Sequence, residues 1–478
     1  MSPLRPHHPL LPLLAGLALI GCGGGGGGTD APSGSTQPVV SGNVLDYPFL
    51  GTKRVLFLVV EYLDEPALFA STPDGLSQVQ RIADTVSDAY RVDSNGRLQL
   101  EIDIPWPPLL IPRRASEYDP ETSQVHIRAD ALRAAKLAGV AVSSYDREVI
   151  FSAKLWNGAA AHGWVRTAWM SNTLERVVVH EIGHTIGRPH ADFWDGDPLG
   201  PGTLVRYGDL FDPMGTGQLW NRFLHSSAPF KLRSGWIQQG DILSVTQSGT
   251  YQLAPLETPG IGLPSALRIR RDNTSDYWVY QRATEPTLAD GAVIQIASSN
   301  PFDDLILLDM NQGSPGDEAI DARLAPGEVF DDLSAGGISI ENVTKPGDPI
   351  TLAVTLDPLA SPVTDVVPIV DVLSPPREDP VSGVVKFAAA VDDPEVGSLD
   401  GDGIDHVVLS ILDAGFDPPS LVTSRTVSAP PFEFTLDTEA AGLRDGFYIF
   451  QVDAVGTDGG SNRIWYRVLL DNYSKTLP

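Results

Sequence analysis

Apolar side chains recur with two different periods along the first half of the chain. The run VLFLVV at 55–60 is short, apolar and rich in β-branched residues, which is typical of a buried strand. From 76 to 90, apolar residues stand three and four positions apart, which predicts an amphipathic helix. Further strands are predicted at 98–104 and 149–152, with a second helix at 125–137 between them. This order of elements indicates an α/β sheet covered by helices.

The pattern changes near residue 242, beyond which short alternating segments are separated by glycine and proline and predict strands. These segments are TYQLAPLE, ALRIRR, DYWVYQRA, AVIQIA, GISIENV, ITLAVTL, VVKFAAAV, HVVLSIL, FEFTL, FYIFQVDAV and IWYRVLL. We therefore predict a multidomain chain, since 478 residues are too many for one core. Its parts are an α/β (α+β) domain at 47–242, an all-β sandwich domain at 243–357, a proline-rich linker at 358–380 and an immunoglobulin-like β domain at 381–478.

The N-terminus has the organisation of an export signal. Residues 1–21 carry one arginine and then an apolar run of about a dozen residues, which is too short for a permanent membrane-spanning helix. The run ends in Leu-Ile-Gly before Cys22, which resembles a bacterial lipoprotein signal, in which the peptide is removed and the cysteine receives a lipid. Residues 22–46 are rich in Gly, Ser and Pro and predict a flexible tether.

We therefore expect an exported protein whose lipidated Cys22 anchors it to a bacterial membrane, at the outer membrane or cell surface, with release from the cell as a further possibility. A plain signal peptide with a chance cysteine is the alternative. The formal net charge of −28 would repel phosphates, so we expect no nucleic-acid partner. Because Cys22 is the only cysteine, the β domains are held by packing or bound ions rather than by disulfides.

Candidate metal-binding side chains are most concentrated at residues 177–191, which read VVVHEIGHTIGRPHA and hold three of the nine histidines. Helical spacing of apolar residues predicts a helix at 173–186. On it His180 and His184 are four residues apart, so both imidazoles lie on one face and can bind one ion. Glu181 stands beside them, where it can take a proton from a metal-activated water.

Sequence signals mark both ends of this helix. Asn172 stands three residues before Glu175, which is the arrangement of an N-cap with a reciprocal acidic partner. Gly187 permits the helix to end and the chain to turn, and Pro189 prevents its continuation. The turn lets His190 come back as a third ligand.

Three neutral imidazoles suit Zn²⁺ and leave one coordination position for water, which is the arrangement of a catalytic rather than a structural site. The competing interpretation is a chance HExxH pattern on a surface helix. The longer pattern, which also requires Gly187 and His190, is far less frequent by chance. We therefore expect a metal site here.

The string HEIGHTIGRPH matches HExxHxxGxxH and so resembles the signature of the metzincin metalloproteases. The strings YGDLFDPMG and NRFLHSSAPFKLRSGWI, which follow it, are similar to the gametolysin family of metzincins. The resemblance implies a metzincin-like catalytic domain at 47–242. It also implies a zinc metalloendopeptidase that hydrolyses peptide bonds of extracellular or cell-surface proteins, with a protein or peptide as its substrate.

Carried over position by position, the resemblance assigns roles to individual residues. Glu181 is the general base and then the general acid, and Met214 is the hydrophobic floor under the histidines. Thr216 stands where some metzincins have a tyrosine ligand, so a further protein ligand is not expected there. The ligands of the single catalytic zinc ion are His180, His184 and His190.

A different class of function is the alternative: a cell-surface adhesin, or a glycan-binding or protein-binding lipoprotein, with an incidental or inactive peptidase domain. In either case the β domains are candidates for contacts with cell-surface glycans or proteins. The presence of Glu181 beside three ligands favours the enzyme, because an inactive scaffold has no need of the base.

Five residues near the motif are candidates for weaker roles. Asp192, Asp195 and Asp197 could hold a structural calcium ion, although such residues more often form turns in solvent. His162 and Trp164 precede the helix, where metzincins place the strand that pairs with substrate, so they are candidates for the substrate cleft. Ordinary aromatic packing is the alternative for this pair.

The remaining polar features carry less information. The segment 392–405 holds six acids but departs from the EF-hand pattern, so a calcium site there competes with a solvated loop between strands. His126, His225 and His406 have no evident partners nearby in the sequence. We predict that these three histidines lie on the surface.

Overall fold

The computed structural model describes residues 49–119, 122–154, 166–215, 225–272, 274–298, 300, 303–312, 318–332, 337–357, 368–376, 379–393, 403–414 and 419–476. Its first strands are β1 (Gly51–Glu61), β2 (Leu98–Asp103), β3 (Leu109–Leu110), β4 (Arg147–Phe151) and β5 (Thr167–Met170). They form a sheet of order β2-β1-β4-β5, with β3 beside the end of β1. Every pairing in this sheet is parallel. The predicted α/β sheet is therefore present.

Four described helices accompany the strands. They are α1 (Pro73–Asp93), α2 (Ser123–Leu137), α3 (Glu175–Thr185) and α4 (Ala228–Arg233). β1 is buried on both faces: Val55, Phe57 and Val59 pack with α1 and α3, whereas the residues between them pack with α2. This double burial explains why β1 is continuously apolar rather than alternating. None of the described helices is long and apolar enough to cross a membrane.

Two further sheets pack face to face, as the predicted sandwich requires. Their strands are β6 (Ala191–Gly196), β7 (Gly202–Val205), β8 (Ile242–Ser244), β9 (Gly249–Leu253), β10 (Ala266–Asp272), β11 (Ser275–Tyr280), β12 (Val293–Ser298), β13 (Leu305–Leu308), β14 (Val329–Asp332), β15 (Ile338–Asn342) and β16 (Ile350–Leu356). The seven-stranded sheet has the order β7-β6-β13-β12-β11-β10-β8, and the four-stranded sheet has the order β14-β15-β16-β9. Apolar side chains from both sheets form one core between them.

The seven-stranded sheet contains strands from both sides of residue 242. β6 and β7 follow the histidine motif, yet β6 pairs in parallel with β13, which lies more than a hundred residues later. The second face of this sheet packs on Met214 and Phe230 and is buried as well. The ranges predicted as separate at 47–242 and 243–357 thus share a sheet, and the shared strands begin directly after the motif.

The C-terminal part is a second sandwich, in keeping with the predicted immunoglobulin-like module. Its strands are β17 (Ile369–Ser374), β18 (Val384–Asp392), β19 (Ile404–Asp413), β20 (Ser420–Val427), β21 (Phe432–Asp437), β22 (Gly446–Gly456) and β23 (Ser461–Leu470). One sheet has the order β17-β18-β21 and the other β20-β19-β22-β23, both antiparallel. β17 lies within the range 358–380, so that part of the predicted linker is a strand of the module.

This module is docked on the α/β region through apolar contacts. Leu469 of β23 is 1% exposed and belongs to the same core cluster as Leu58 and Trp169. Phe447 pairs with Leu469 in the sheet, and its ring centroid lies 5.9 Å from that of Trp169. On α2, His126 lies 3.0 Å from the carboxylate of Asp445. The module thus completes the hydrophobic core under the parallel sheet.

The Leu469→Ala substitution tests this docking. It removes a buried side chain shared by two parts of the chain and should lower the free energy of unfolding by about 2–5 kcal/mol. The matched control is Leu421→Ala on β20, where the leucine is 62% exposed and its loss should cost less than about 0.5 kcal/mol. Denaturant unfolding of both variants measures the difference, and equal losses would contradict the docked arrangement.

Candidate metal centre

The histidine motif forms α3, but this helix begins later than predicted. Its first residue is Glu175 and its N-cap is Leu174, so the prediction of Asn172 as the N-cap is wrong. The side-chain oxygen of Asn172 instead accepts a hydrogen bond from the Leu174 N–H at 3.1 Å, which forms a turn ahead of the helix. Further along, Val178 and Ile182 are buried against the sheet and fix the direction of the opposite, histidine-bearing face.

The C-terminal end of α3 confirms the predicted turn. Gly187 has a φ of 85°, a left-handed conformation that glycine adopts without steric cost. The Gly187 N–H donates to the His184 carbonyl at 3.0 Å, and the Arg188 N–H donates to the Gly183 carbonyl at 3.1 Å. This pair of bonds is a Schellman motif, and it reverses the chain toward His190.

A buried cation anchors the reversed segment. The Arg188 guanidinium pairs with Asp93 at the end of α1 at 3.1 Å, and it lies 4.1 Å from the centroid of the Trp236 ring. Lys231 of α4 also pairs with Asp93, at 3.1 Å. Separating these groups would leave buried charges uncompensated, which costs several kcal/mol (~3–5) of stability. The network therefore holds the segment between α3 and β6 in place.

Three imidazoles converge at this reversal. Ligand nitrogens of His180, His184 and His190 all lie within 4.8 Å of one another. The Nδ1 atoms of His180 and His184 lie 3.0 and 2.7 Å from the carbonyl oxygens of Pro213 and Arg188. Since a carbonyl oxygen only accepts, both Nδ1 atoms carry the hydrogen, and both Nε2 lone pairs are left for a ligand.

His190 is oriented by residues from distant parts of the chain. Its backbone N–H donates to Asp304 at 2.8 Å, and its Nδ1 lies 3.5 Å from the same carboxylate. Asp304 also pairs with Arg206 at 2.7 Å. The Tyr207 ring packs against the imidazole, with centroids 4.2 Å apart. The Nε2 of His190 then lies 3.1 Å from that of His184.

Burial keeps the three imidazoles neutral. It lowers the pKa of His180, although a hydrogen bond to the Pro213 carbonyl offsets part of the effect. Burial, together with electrostatic repulsion from the other two imidazoles in their protonated forms, lowers the pKa of His184 well below its usual range. Burial also lowers the pKa of His190 to about 3. At neutral pH all three are therefore in the form that binds a metal ion.

Met214 packs directly behind the histidine helix. It lies in a turn closed by the Gly215 N–H, which donates to the Asp212 carbonyl at 2.9 Å. The carbonyl of Met214 accepts from the Ala191 N–H at 3.1 Å, so this turn is tied to the residue after His190. A Cβ added at Gly183, between the first two histidines, would lie 2.3 Å from the Met214 sulfur. The thioether thus fills the space that a side chain at Gly183 would need.

The donor set fits zinc. Two nitrogens bound to one tetrahedral zinc ion are about 3.3–3.4 Å apart, which is close to the 3.1 Å between the His184 and His190 Nε2 atoms. Each histidine has an acceptor beside its second nitrogen, as metal-binding histidines usually do. Among the described residues, no other set of three His, Cys, Asp or Glu side chains converges in this way. Glu181, the next residue after His180, is buried, as is His184.

The three aspartates after the motif do not converge. Asp192 is buried on β6, where its carboxylate accepts from the Tyr207 N–H at 2.7 Å and pairs with Arg206 at 3.2 Å. Asp195 is three residues further along the strand and so lies on the opposite face. Asp197 accepts from the backbone of its own turn. These contacts favour the turn-forming alternative over a calcium site at the three aspartates.

The prediction that three further histidines lie on the surface is wrong for His225, which is buried, whereas His126 and His406 are partly exposed. His126 contacts the carboxylate of Asp445, which lies 319 residues away in the sequence. His225 is buried, with its Nδ1 3.1 Å from the Lys231 amine. His406 is partly exposed but lies 2.7 Å from the carboxylate of the preceding residue. The partner of His126 comes from tertiary packing, which local sequence does not reveal, whereas the partners of His225 and His406 lie within six residues of them.

Four residues named from the sequence lie outside the described residues: Cys22, His162, Trp164 and Thr216. Conversely, sequence reasoning missed Tyr207 and Asp304 at the site. Tyr207 lies in the string YGDLFDPMG, and its φ of 59° is a left-handed conformation that is unusual for a bulky residue. Asp304 precedes β13 and has no local signal, because its contact with His190 spans 114 residues.

No protein-family model matches the chain, and no curated protein matches it. Wild-type OgpA from Akkermansia muciniphila aligns over 91% of this chain and 97% of its own, at 11% identity and a TM-score of 0.25. Catalytically inactive OgpA, in complex with an O-glycopeptide (glycodrosocin) substrate, aligns over 90% and 95%, at 10% identity and a TM-score of 0.26. CopC from Methylosinus trichosporium OB3b aligns over 20% and 82%, at 25% identity and a TM-score of 0.14. These scores reflect little shared geometry.

The contact between Gly183 and Met214 can be tested by a double-mutant cycle. Gly183→Ala should cost about 1–3 kcal/mol of unfolding free energy and weaken zinc binding, because the new methyl displaces the buried sulfur. Gly183→Ala combined with Met214→Ala should cost less than the sum of the two single substitutions, because the sulfur is then absent.

The control is Gly240→Ala, where an added Cβ meets nothing within 4 Å. Denaturant unfolding and zinc titration compare wild type with the two single variants, the double variant and this control. Strictly additive costs for Gly183→Ala and Met214→Ala would show that the two residues are not in contact.

Proposed function

We propose that the chain is a zinc-dependent endopeptidase that hydrolyses peptide bonds in protein or peptide substrates. The observation that carries the proposal is the convergence of three neutral imidazoles beside the buried carboxylate of Glu181. Structural zinc sites normally have four protein ligands, whereas three protein ligands leave one position for water or substrate. This arrangement therefore favours catalysis over a purely structural role.

In this proposal His180, His184 and His190 hold the ion. Their Nε2 atoms are available because hydrogen bonds to the Pro213 and Arg188 carbonyls occupy the Nδ1 hydrogens of the first two. Asp304 orients the third imidazole through its carboxylate. Met214 supports the helix from behind and is the floor of the site.

The zinc ion, when bound, supplies a Lewis acid that lowers the pKa of water and polarises a carbonyl. Glu181 follows His180 on α3 and so stands beside the ligand face rather than in it. In this proposal its carboxylate accepts the proton of the attacking water and then delivers that proton to the leaving amine. A serine or cysteine nucleophile is not needed for this reaction.

The finer assignment is a metzincin of the gametolysin type. The pattern HExxHxxGxxH supports it, with Gly187 at the end of the helix and Met214 in a turn that is hydrogen-bonded to the residue after His190. We also propose that the protein is exported and anchored to a membrane through lipidated Cys22. An enzyme at this location would hydrolyse extracellular or cell-surface proteins. The β domains are candidates for contacts with cell-surface glycans or proteins.

The Glu181→Ala substitution tests the reaction. It should reduce casein hydrolysis by at least about a hundredfold, while the protein still binds one equivalent of zinc, because the three ligands are retained. Glu175→Ala, at an exposed glutamate in the first turn of the same helix, should leave both quantities unchanged.

Zinc content is measured by elemental analysis, and hydrolysis is followed with and without a chelator. Persistent casein cleavage by Glu181→Ala would show that another group is the base. A zinc-loaded wild-type chain that cleaves no peptide would instead favour the alternative of an inactive binding protein.

The location is tested by Cys22→Ser in the bacterial cell. Without the thiol no diacylglycerol can be attached, so the protein should move from the membrane fraction to the soluble fraction. Ser33→Ala, in the same predicted tether, should remain with the membranes. Immunodetection after fractionation reads the result, and unchanged membrane partitioning of Cys22→Ser would refute the lipoprotein interpretation.

A further inference from the structure

The carbonyl group that fixes His180 belongs to a peptide group whose other end is held by a buried carboxylate. The Nδ1 of His180 lies 3.0 Å from the Pro213 carbonyl oxygen. The same peptide group carries the N–H of Met214, which donates to the Asp212 Oδ1 atom at 2.8 Å. Because this peptide group is planar and trans, its C=O and its N–H point in opposite directions. The Asp212 carboxylate and the His180 imidazole are therefore joined through one rigid group.

Asp212 determines how this peptide group is oriented. Proline has no N–H, so the backbone of Pro213 is not held by a donor of its own. The carbonyl of Asp212 accepts from the Gly215 N–H at 2.9 Å, which closes the turn on the other side of Met214. The direction of the Pro213 carbonyl thus follows from the position of Asp212.

The Asp212 carboxylate is fully buried and is itself fixed by α4. Its Oδ2 accepts from the Ser227 N–H at 2.7 Å and from the Ser227 hydroxyl. The hydroxyl oxygen accepts in turn from Arg282 at 3.2 Å and from Gln295 at 3.1 Å, so its hydrogen is left for Asp212. Since these contacts of Asp212 are all with donors, the ionised form of the carboxylate fits this place.

An ionised carboxylate at one end of a peptide group strengthens the hydrogen bond at the other end. Consecutive hydrogen bonds polarise one another, and they do so most in a buried environment of low dielectric constant. A stronger acceptor at Nδ1 makes an imidazole a better metal ligand through Nε2. His184 lies outside this connection, because its Nδ1 lies 2.7 Å from a different carbonyl oxygen, that of Arg188.

We propose that Asp212 is a positioning residue that strengthens metal binding by His180 through the Pro213–Met214 peptide group. Asp304 contacts the His190 imidazole with its own carboxylate, whereas Asp212 acts on His180 through the backbone. The inference rests on the proposed function, from which it takes the zinc ion, but it does not depend on the hydrolysis of a peptide.

Asp209 provides a matched control. Like Asp212 it is fully buried, and it lies 4.0 Å from the Arg282 guanidinium, compared with 3.9 Å for Asp212. It also accepts from the backbone N–H two residues ahead, that of Phe211, at 2.9 Å. This N–H does not belong to the peptide group that contacts His180. Measurements above the pKa of Asp209, which burial raises to about 6, keep this carboxylate ionised as well.

The first measurement is the zinc affinity of the full-length chain, in competition with a chelator. Asp212→Asn should weaken zinc binding by roughly tenfold to a hundredfold, whereas Asp209→Asn should bind zinc nearly as tightly as wild type. Both substitutions remove a buried charge and should lower the free energy of unfolding of the zinc-free chain. Lost stability alone would therefore weaken zinc binding in both variants.

NMR of the zinc-loaded chain with isotope-labelled histidine follows the connection itself. In Asp212→Asn the Nδ1–H proton of His180 should move upfield, because its hydrogen bond weakens, while that of His184 should stay in place. Ser227→Ala is the second variant, used also if Asp212→Asn does not fold. It removes a hydroxyl that holds Asp212 but keeps the charge, so the His180 signal should move in the same direction by a smaller amount.

Equal weakening of zinc binding by Asp212→Asn and Asp209→Asn would overturn the inference. So would a His180 signal that moves in neither Asp212→Asn nor Ser227→Ala. A wild-type chain that binds no zinc would refute the metal centre and this inference together. A zinc-loaded wild-type chain that cleaves no casein would refute the peptidase proposal alone.

Discussion

The candidate site depends on one chain reversal between α3 and β6. Gly187 turns in a left-handed conformation, and the buried Arg188 pairs with Asp93 directly afterwards. His190 is thereby brought back to within 3.1 Å of His184, between their Nε2 atoms. β6 begins at the next residue and enters the seven-stranded sheet. The third imidazole is therefore fixed from both sides, by the end of a helix and by the start of a strand.

Because β6 pairs with β13 in one sheet, residues from the later part of the chain lie next to the site. Asp304 precedes β13, the neighbour of β6, and holds His190. Arg282, which is buried after β11, donates to the Phe211 carbonyl near the turn that carries Met214. Burial of this whole region lowers the pKa values of the histidines. The packing that stabilises the fold thus also keeps the three imidazoles in the neutral form that binds a metal ion.

Local patterns in the sequence predicted most of what is local in the structure. The β1 run, the amphipathic helix α1, the histidine spacing and the turn at Gly187 follow from side-chain periodicity and backbone preference. The failures have two causes. Asn172 forms a local turn instead of a helix cap. The partners of His126 and His190 are distant in sequence, so only tertiary packing supplies them. The contact of the Tyr207 ring with the His190 imidazole is also made by tertiary packing.

X-ray absorption spectroscopy of the zinc-loaded protein counts the atoms that bind the ion. We expect three imidazole nitrogens at about 2.0–2.1 Å and one oxygen from water, giving four ligands in all. Loss of one imidazole shell in His190→Ala would agree with that count. Four protein ligands around the ion, or a zinc spectrum that is unchanged in His190→Ala, would contradict the proposed centre.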